Sequence, residues 1–267
     1  LLPIYYINLA SRPDRRQFME EQFARLGLTA TRIEALTPSD LSESDVAAYC
    51  DPLKPNYMSP NMFSCAMSHE RVWQTMLAAG ESQVLILEDD AELSSLLPHF
   101  LEAAGNFSEE LIRIETTGAR TRVYLAHEVT QKGLSVRRFR STPMGSAGYV
   151  LRRSAAEKLL GHPRLRTLAI DLAMYSPFEE PGALLTRSLV DPALCRQLGT
   201  QREGQSEVGR SNIDTKQVLP RKYADLHPVK NAVARMRRKL RTGLRNAVDH
   251  VREQRNGLNS KHVDFAP

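Results

Sequence analysis

Three carboxylates stand without a break at Glu88-Asp89-Asp90, directly after the apolar run Val84-Leu85-Ile86-Leu87. The run reads as a buried strand, bounded upstream by Gly80. A buried strand ending in packed anions is costly, because like charges a few ångströms apart raise one another's pKa and resist ionisation. Hard divalent cations offset that cost, since Mg²⁺ and Mn²⁺ take oxygen ligands and bridge carboxylates to phosphates. In open α/β sheets, ligands collect just beyond the carboxyl ends of the strands. The stretch therefore predicts a metal–diphosphate site. The competing reading is a solvated acidic turn.

Other residues could serve such a site. Arg12, Arg15 and Arg16 follow a first strand at Ile4–Leu9 and could hold an anion, or could simply solvate a helix start. Ser68 and His69 fall within a helix. Neighbours on a helix do not face each other, so a serine hydrolase is discounted, and a histidine on such a face is usually structural. Met144-Gly145-Ser146-Ala147-Gly148-Tyr149 is a small-residue turn that lets backbone approach a ligand closely. Asp171 is an isolated carboxylate between apolar residues.

The elements that must position these groups can be traced in chain order. The Ile4–Leu9 strand, a helix opened by Pro13 and ended by Gly27, and a strand at Thr29–Ile33 make a βαβ unit. Residues 36–60 are irregular, with a short helix at Ser42–Tyr49. A stronger helix carries Met62, Phe63, Ala66, His69, Val72, Trp73, Met76 and Leu77 near helical spacing. Past Asp90, a helix is expected at Leu93–Ala103, and strands at Leu111–Glu115, Val123–Leu125, Ser135–Phe139 and Tyr149–Leu151. Ser154-Ala155-Ala156-Glu157 has the form of a capping box, and a last strand is expected at Ala183–Val190.

At 267 residues, 42% hydrophobic and 25% charged, the composition is that of a soluble globular protein. No apolar run is long enough to cross a bilayer, and Leu1–Leu9 lacks the basic flank of a signal peptide. Cys50, Cys65 and Cys195 share no metal-ligand spacing and read as reduced thiols of a cytosolic protein. Charge is uneven. Residues 1–220 carry 24 basic and 27 acidic residues, whereas eleven Lys and Arg face three acidic residues between Arg221 and Arg255. There Val229, Val233, Met236, Leu240, Leu244, Val248 and Val251 recur at three- or four-residue steps, the pattern of a basic amphipathic helix that anionic lipid would attract. The tail lacks interleaved aromatics for base stacking, so no nucleic-acid partner is expected.

Taken in order, Ile7-Asn8-Leu9 with Arg12 and Arg15, Cys65-Ala66-Met67-Ser68-His69 with Trp73, Leu87-Glu88-Asp89-Asp90, Gly148-Tyr149-Val150-Leu151, Ile170-Asp171, and Pro192 with Gln197 resemble glycosyltransferase family 25 over residues 4–200. That family includes bacterial lipooligosaccharide galactosyltransferases and procollagen galactosyltransferases. Phe63-Ser64 before Cys65, where the family often has glycine, and the basic tail depart from the pattern. The resemblance implies a GT-A-like fold, a UDP-sugar donor, a divalent metal (Mn²⁺ or Mg²⁺) and inversion at the anomeric carbon. It implies metal ligation by Asp90, with Glu88 at the metal or the donor ribose. Asn8, Arg12, Arg15, Ser68, His69, Glu88 and Asp89 are then donor-binding candidates.

Inversion requires a general base. Asp171 is the first choice, in a setting that would raise its pKa, with a helix N-cap as the alternative role. Glu115 is its competitor, and Asp191 ranks third.

The expected architecture is α/β: a single GT-A-like, Rossmann-type catalytic domain over residues 1–200, with a mixed, mainly parallel sheet. A polar linker at 201–220 and a basic amphipathic helical tail at 221–267 follow. The expected activity is hexose transfer, galactose foremost, from UDP to a saccharide or glycolipid acceptor such as lipopolysaccharide core. The expected location is cytoplasmic, with residues 221–255 available for peripheral contact at the inner membrane face. A metal-dependent phosphotransfer or phosphoester-hydrolysing enzyme is the alternative.

Overall fold

The computed structural model describes residues 2–54, 57–131, 133–200 and 257–267, together with the helical positions Val233, Met236, Leu240, Gly243, Leu244, Ala247, Val248 and Val251. The first half contains β1 (Ile4–Asn8), α1 (Pro13–Leu26), β2 (Thr31–Glu34), α2 (Glu43–Tyr49), α3 (Pro60–Ala78) and β3 (Gln83–Glu88). Next come β4 (Ala91–Leu93), α4 (Leu97–Ala104), β5 (Leu111–Arg113), β6 (Glu115–Thr116), β7 (Thr121–Gln131) and β8 (Leu134–Phe139). The remainder is β9 (Gly148–Arg152), α5 (Arg153–Leu160), α6 (Ile170–Tyr175), β10 (Arg187–Asp191), β11 (Cys195–Gln197) and β12 (Leu258–Lys261).

Among the described residues nine strands form one sheet in the order β12-β7-β8-β10-β5-β9-β3-β1-β2. Alternate residues of its central strands feed two cores. Tyr5, Ile7, Val84 and Ile86 pack with Trp73 and Met76 of α3 and with α5 and α6. Ile4, Tyr6, Leu85 and Leu87 pack with Met19 and Phe23 of α1 and with Leu97, Phe100 and Leu101 of α4. Covered on both faces, β1 and β3 can be apolar at nearly every position, as their sequences are. Val84 to Leu87 are wholly buried, each worth about 1.5–3 kcal/mol.

The sheet is mixed, but it is not mainly parallel. Among the described residues only β1–β2, β1–β3 and β5–β10 of this sheet pair in parallel. The pairings β3–β9, β5–β9, β8–β10, β7–β8 and β7–β12 are antiparallel. Crossover helices dominate the first half of the chain. In the second half the β7–β8 hairpin turns at Gly133 with φ 79°, and β9 enters between β3 and β5 antiparallel to both.

Local signals fix the first helix. Pro13 opens α1, and Gly27 ends it in the left-handed region at φ 64°, where its N–H and that of Leu28 bond back to Ala24 and Phe23. Three local expectations are corrected. The helix expected from Leu93 begins at Leu97, because Ala91–Leu93 pairs with β11. Ser154 does not cap α5; its hydroxyl donates to Glu110. The strand expected from Ala183 begins at Arg187 after a 3-10 turn.

Residues 257–267, expected as the end of a helical tail, return to the body as strand and extended chain. Leu258–Lys261 pairs with β7, and Val263 is buried. Lys261 forms an ion pair with Asp191, and Ala193 exchanges backbone bonds with Asp264 and Ala266. The described positions from Val233 to Val251 are helical. The polar linker expected at 201–220 lies outside the described residues. No helix among the described residues is long and apolar enough to cross a membrane.

Candidate active site

β1 and β3 run side by side with Ile7 opposite Glu88, so Asn8 and the acidic stretch emerge together at the carboxyl edge of the sheet. A cavity of about 490 Å³ opens there, within the usual range for small-molecule sites. Its walls include Arg15 from α1, residues Ala35 to Pro38, one face of α3 with Asn61, Ser64, Cys65, Ser68 and His69, then Glu88 to Asp90, and Gln197. Cys65, Ser68 and His69 share a face through three- and four-residue spacing.

The three adjacent carboxylates have different surroundings. Asp89 is sealed: Arg15 donates to Oδ1 at 2.7 Å and Asn8 to Oδ2 at 2.8 Å, and Arg32 fixes Asn8 in turn. Glu88 is held in the pocket wall. His69 Nε2 lies 3.3 Å from Oε1, Ser146 donates to the same oxygen, and Gln197 reaches Oε2 at 3.3 Å. Burial alone would raise its pKa, but the bonds from His69 and Ser146 and the charge of Arg15 hold the carboxyl below its ordinary value.

Asp90 is incomplete. Arg15 reaches Oδ2 at 3.3 Å, while buried Oδ1 has no hydrogen-bond partner. Burial, followed by the charge of Glu88, pushes the carboxyl up to about 7. A dication beside Oδ1 would satisfy both defects, so these oxygens fit the hard metal that the sequence implies. The backbone here is pinned by a small second sheet, β4-β11-β6, in which Gln197 sits opposite Ala91.

The turn before β9 links the remaining carboxylates. Glu88 N–H donates to Ala147 O, and Ala147 N–H donates to Glu115 Oε2. Gly145 N–H points at Asp171 Oδ2 at 3.3 Å, and Arg113 clamps the carbonyls of Met144 and Gly145. Gly145 is required there: φ is +87°, and an added Cβ would lie 2.5 Å from Glu115 Oε1. Glu115 itself is closed off, with its side chain fully buried against Arg113 and Oε1 lacking a partner. Burial pushes this carboxyl up to about 7, against the opposing charge of Arg113.

Of the sequence-predicted residues, Arg15, Ser68, His69, Glu88, Asp89 and Asp90 line the cavity. Asn8 stands behind Asp89, and Arg12 pairs with Asp14. Ser68 ties α3 to the loop after β2, donating to Ser64 O and accepting from Leu36 N–H. Asp171 is not an N-cap. Ala169 holds that position, and Asp171 sits in the first turn, partly exposed, with Oδ1 accepting from Leu172 N–H. Asp191 is occupied by Lys261 and Arg137.

Sequence reasoning missed Cys65 as a site residue, along with Gln197, Ser146 and the support behind His69. Tyr149 Oη lies 2.8 Å from His69 Nδ1 and accepts the Trp73 N–H at 2.9 Å. Four-residue spacing from His69 could have flagged Cys65, and the small-residue turn at 144–149 already held Ser146 and Tyr149 without showing that their side chains meet Glu88 and His69.

Residues 1–174 match the profile described as glycosyltransferase family 25 (LPS biosynthesis protein). The chain is 28% identical over 241 residues to the lacto-N-neotetraose biosynthesis glycosyltransferase LgtE of Neisseria gonorrhoeae, covering 80% of this chain and 85% of that one. It is 27% identical over 206 residues to the lipooligosaccharide biosynthesis protein lic2B of Haemophilus influenzae, covering 73% and 76%. A glycosyltransferase 25 family member of Aedes aegypti is 31% identical over 119 residues, 42% of this chain and 19% of that one. With the family profile spanning well over half its length, this chain belongs to glycosyltransferase family 25 and is a glycosyltransferase.

Proposed function

We propose that the enzyme transfers a hexose, galactose foremost, from UDP to a saccharide hydroxyl of a growing lipooligosaccharide or lipopolysaccharide core, with inversion. The observation that carries the reading is the unpartnered Oδ1 of Asp90 beside an anchored Glu88, in a cavity of nucleotide-sugar scale. The names of the relatives, lacto-N-neotetraose and lipooligosaccharide biosynthesis, support the acceptor class.

In this reading Asp90 and Glu88 hold Mn²⁺ or Mg²⁺, which when bound neutralises charge on the diphosphate leaving group. His69, Ser146 and Gln197 keep Glu88 ionised and aimed at the metal or the donor ribose. Arg15 stays with Asp89 and Asp90 as a fixed positive charge at the nucleotide end, which Asn8, Arg12 and Ser68 help to shape. Asp171 takes the acceptor proton: it is partly open, whereas Glu115 is sealed and serves to hold the turn at 145–147. A donor screen tests the whole. UDP-galactose should raise the melting temperature more with Mn²⁺ than with EDTA, and transfer should release UDP. Release of inorganic phosphate would favour the phosphotransfer alternative.

The acceptor's lipid would bring the enzyme to a membrane. Val233, Met236, Leu240, Leu244, Val248 and Val251 are all exposed along one helical stripe, and Arg and Lys fill positions 235, 237–239, 241 and 245 between them. Anionic lipid would attract each nearby cation by about 1 kcal/mol. Truncation is an unsuitable test, since it would strip β12 from the sheet. The double variant Leu240→Glu, Leu244→Glu should lose sedimentation with phosphatidylglycerol vesicles; sedimentation equal to wild type would refute membrane docking.

A further inference from the structure

One wall of the cavity carries ligands of a different chemistry from the acidic edge. Cys65 Sγ, a ring nitrogen of His69 and a carboxylate oxygen of Glu88 lie within 4.8 Å of one another. Among the described residues no other group of three His, Cys, Asp or Glu side chains comes so close, and Asp90 is not part of it. Cys65 and His69 lie one helical turn apart on the same face of α3, and all three residues line the open cavity.

Their surroundings suit a cation. Burial, and after it the negative charge of Glu88, Asp171, Asp90 and Asp89, holds the Cys65 thiol well above its ordinary range, so the thiolate forms there only when a cation displaces its proton. The His69 ring is held from behind by Tyr149, itself held by Trp73, which leaves Nε2 directed at Glu88. Fixing one ring nitrogen so that the other faces the metal is the usual way proteins orient an imidazole ligand. A thiolate, an imidazole and a carboxylate together suit zinc, and the thiolate disfavours Mg²⁺ and Mn²⁺.

We infer that Cys65, His69 and Glu88 form a second cation site, selective for a thiophilic divalent ion of the zinc class, with its fourth position open to the cavity. Binding expels the Cys65 proton to solvent and puts the metal between His69 and Glu88 in place of their hydrogen bond, with the imidazole proton moving from Nε2 to Nδ1, where Tyr149 Oη accepts it. Glu88 is then shared with the donor site, so zinc and the nucleotide sugar compete. This goes beyond sugar transfer, and its readout needs no donor, so either reading can fail without the other.

The test uses the full-length chain and Co²⁺ as a spectroscopic probe. Titration of metal-free protein should produce a near-ultraviolet thiolate-to-cobalt band that added Zn²⁺ abolishes. Cys65→Ser should lack the band, although Cys50 and Cys195 remain. Tyr149→Phe should keep it but weaken zinc binding by about 10–100-fold, the usual cost of losing an outer-shell partner. A wild-type cobalt complex without the thiolate band would overturn the site, as would equal zinc affinity in wild type and a folded Cys65→Ser. Should Cys65→Ser fail to fold, the wild-type spectrum alone decides.

Discussion

Two groups of carboxylates lie at or behind the wall of this cavity, and they differ in how completely they are partnered. On one side Asp89 and Glu88 have a donor at every oxygen, supplied by Arg15, Asn8, His69, Ser146 and Gln197. On the other, Asp90 and Glu115 each keep one buried oxygen without a hydrogen-bond partner, and both are pushed up to about 7. A satisfied buried anion maintains shape; an unsatisfied one is costly unless something charged or protonated joins it. The contrast separates residues of one motif by role. Asp89 anchors the site, Glu88 is aimed into it, and Asp90 has an oxygen to give. Glu115 has the same defect without access to the cavity, so a proton is its natural partner.

Asp171 belongs to neither group and should give the largest change in turnover. Both its oxygens accept backbone N–H groups, yet it alone among the base candidates is partly open and unengaged by a cation. Asp171→Asn should retain metal-dependent UDP binding while kcat falls about 10²–10⁴-fold, the usual worth of a general base. Near-normal turnover would remove Asp171 from that role.

Asp89→Asn should act on folding. Breaking its buried pair with Arg15 should lower unfolding free energy by about 3 kcal/mol, measured by urea titration. A variant as stable as wild type would mean that the saturated side of the comparison has no anchoring role.

Glu115→Gln should be gentler and visible only in pH dependence. A carboxyl raised to about 7 in the folded chain binds more protons than its unfolded counterpart between about pH 4.5 and 7. Stability should therefore fall as pH rises through that window and level off above it. The glutamine should remove ~2 kcal/mol of that fall, leaving the variant relatively more stable at pH 8 than at pH 5. Added Mn²⁺ should not substitute for the mutation, because Glu115 does not reach the cavity.

The same contrast explains what the sequence made legible. Glu88-Asp89-Asp90 follows an uninterrupted apolar strand, so its place at a strand end could be read from seven consecutive residues. Pro13 and Gly27 likewise marked α1 through local backbone chemistry. The partners that set each carboxylate apart come from afar: Ser146 lies 58 positions from Glu88, and Gln197 lies 109. No local pattern encodes such a meeting. The antiparallel half was misjudged for a similar reason, because strand direction depends on where β9 inserts, between β3 and β5. Leu258-Asn259-Ser260-Lys261 is a polar edge strand whose pairing with β7 carries no periodic signal.

The central claim is that Asp90 Oδ1 supplies a ligand to the metal beneath the donor diphosphate. Calorimetric titration of UDP into wild type and Asp90→Asn, each with Mn²⁺ and with EDTA, tests it directly. Mn²⁺ should tighten UDP binding to wild type by at least about tenfold, or 1.4 kcal/mol, and leave the variant unchanged. Equal tightening in Asp90→Asn, or none in wild type, would contradict it.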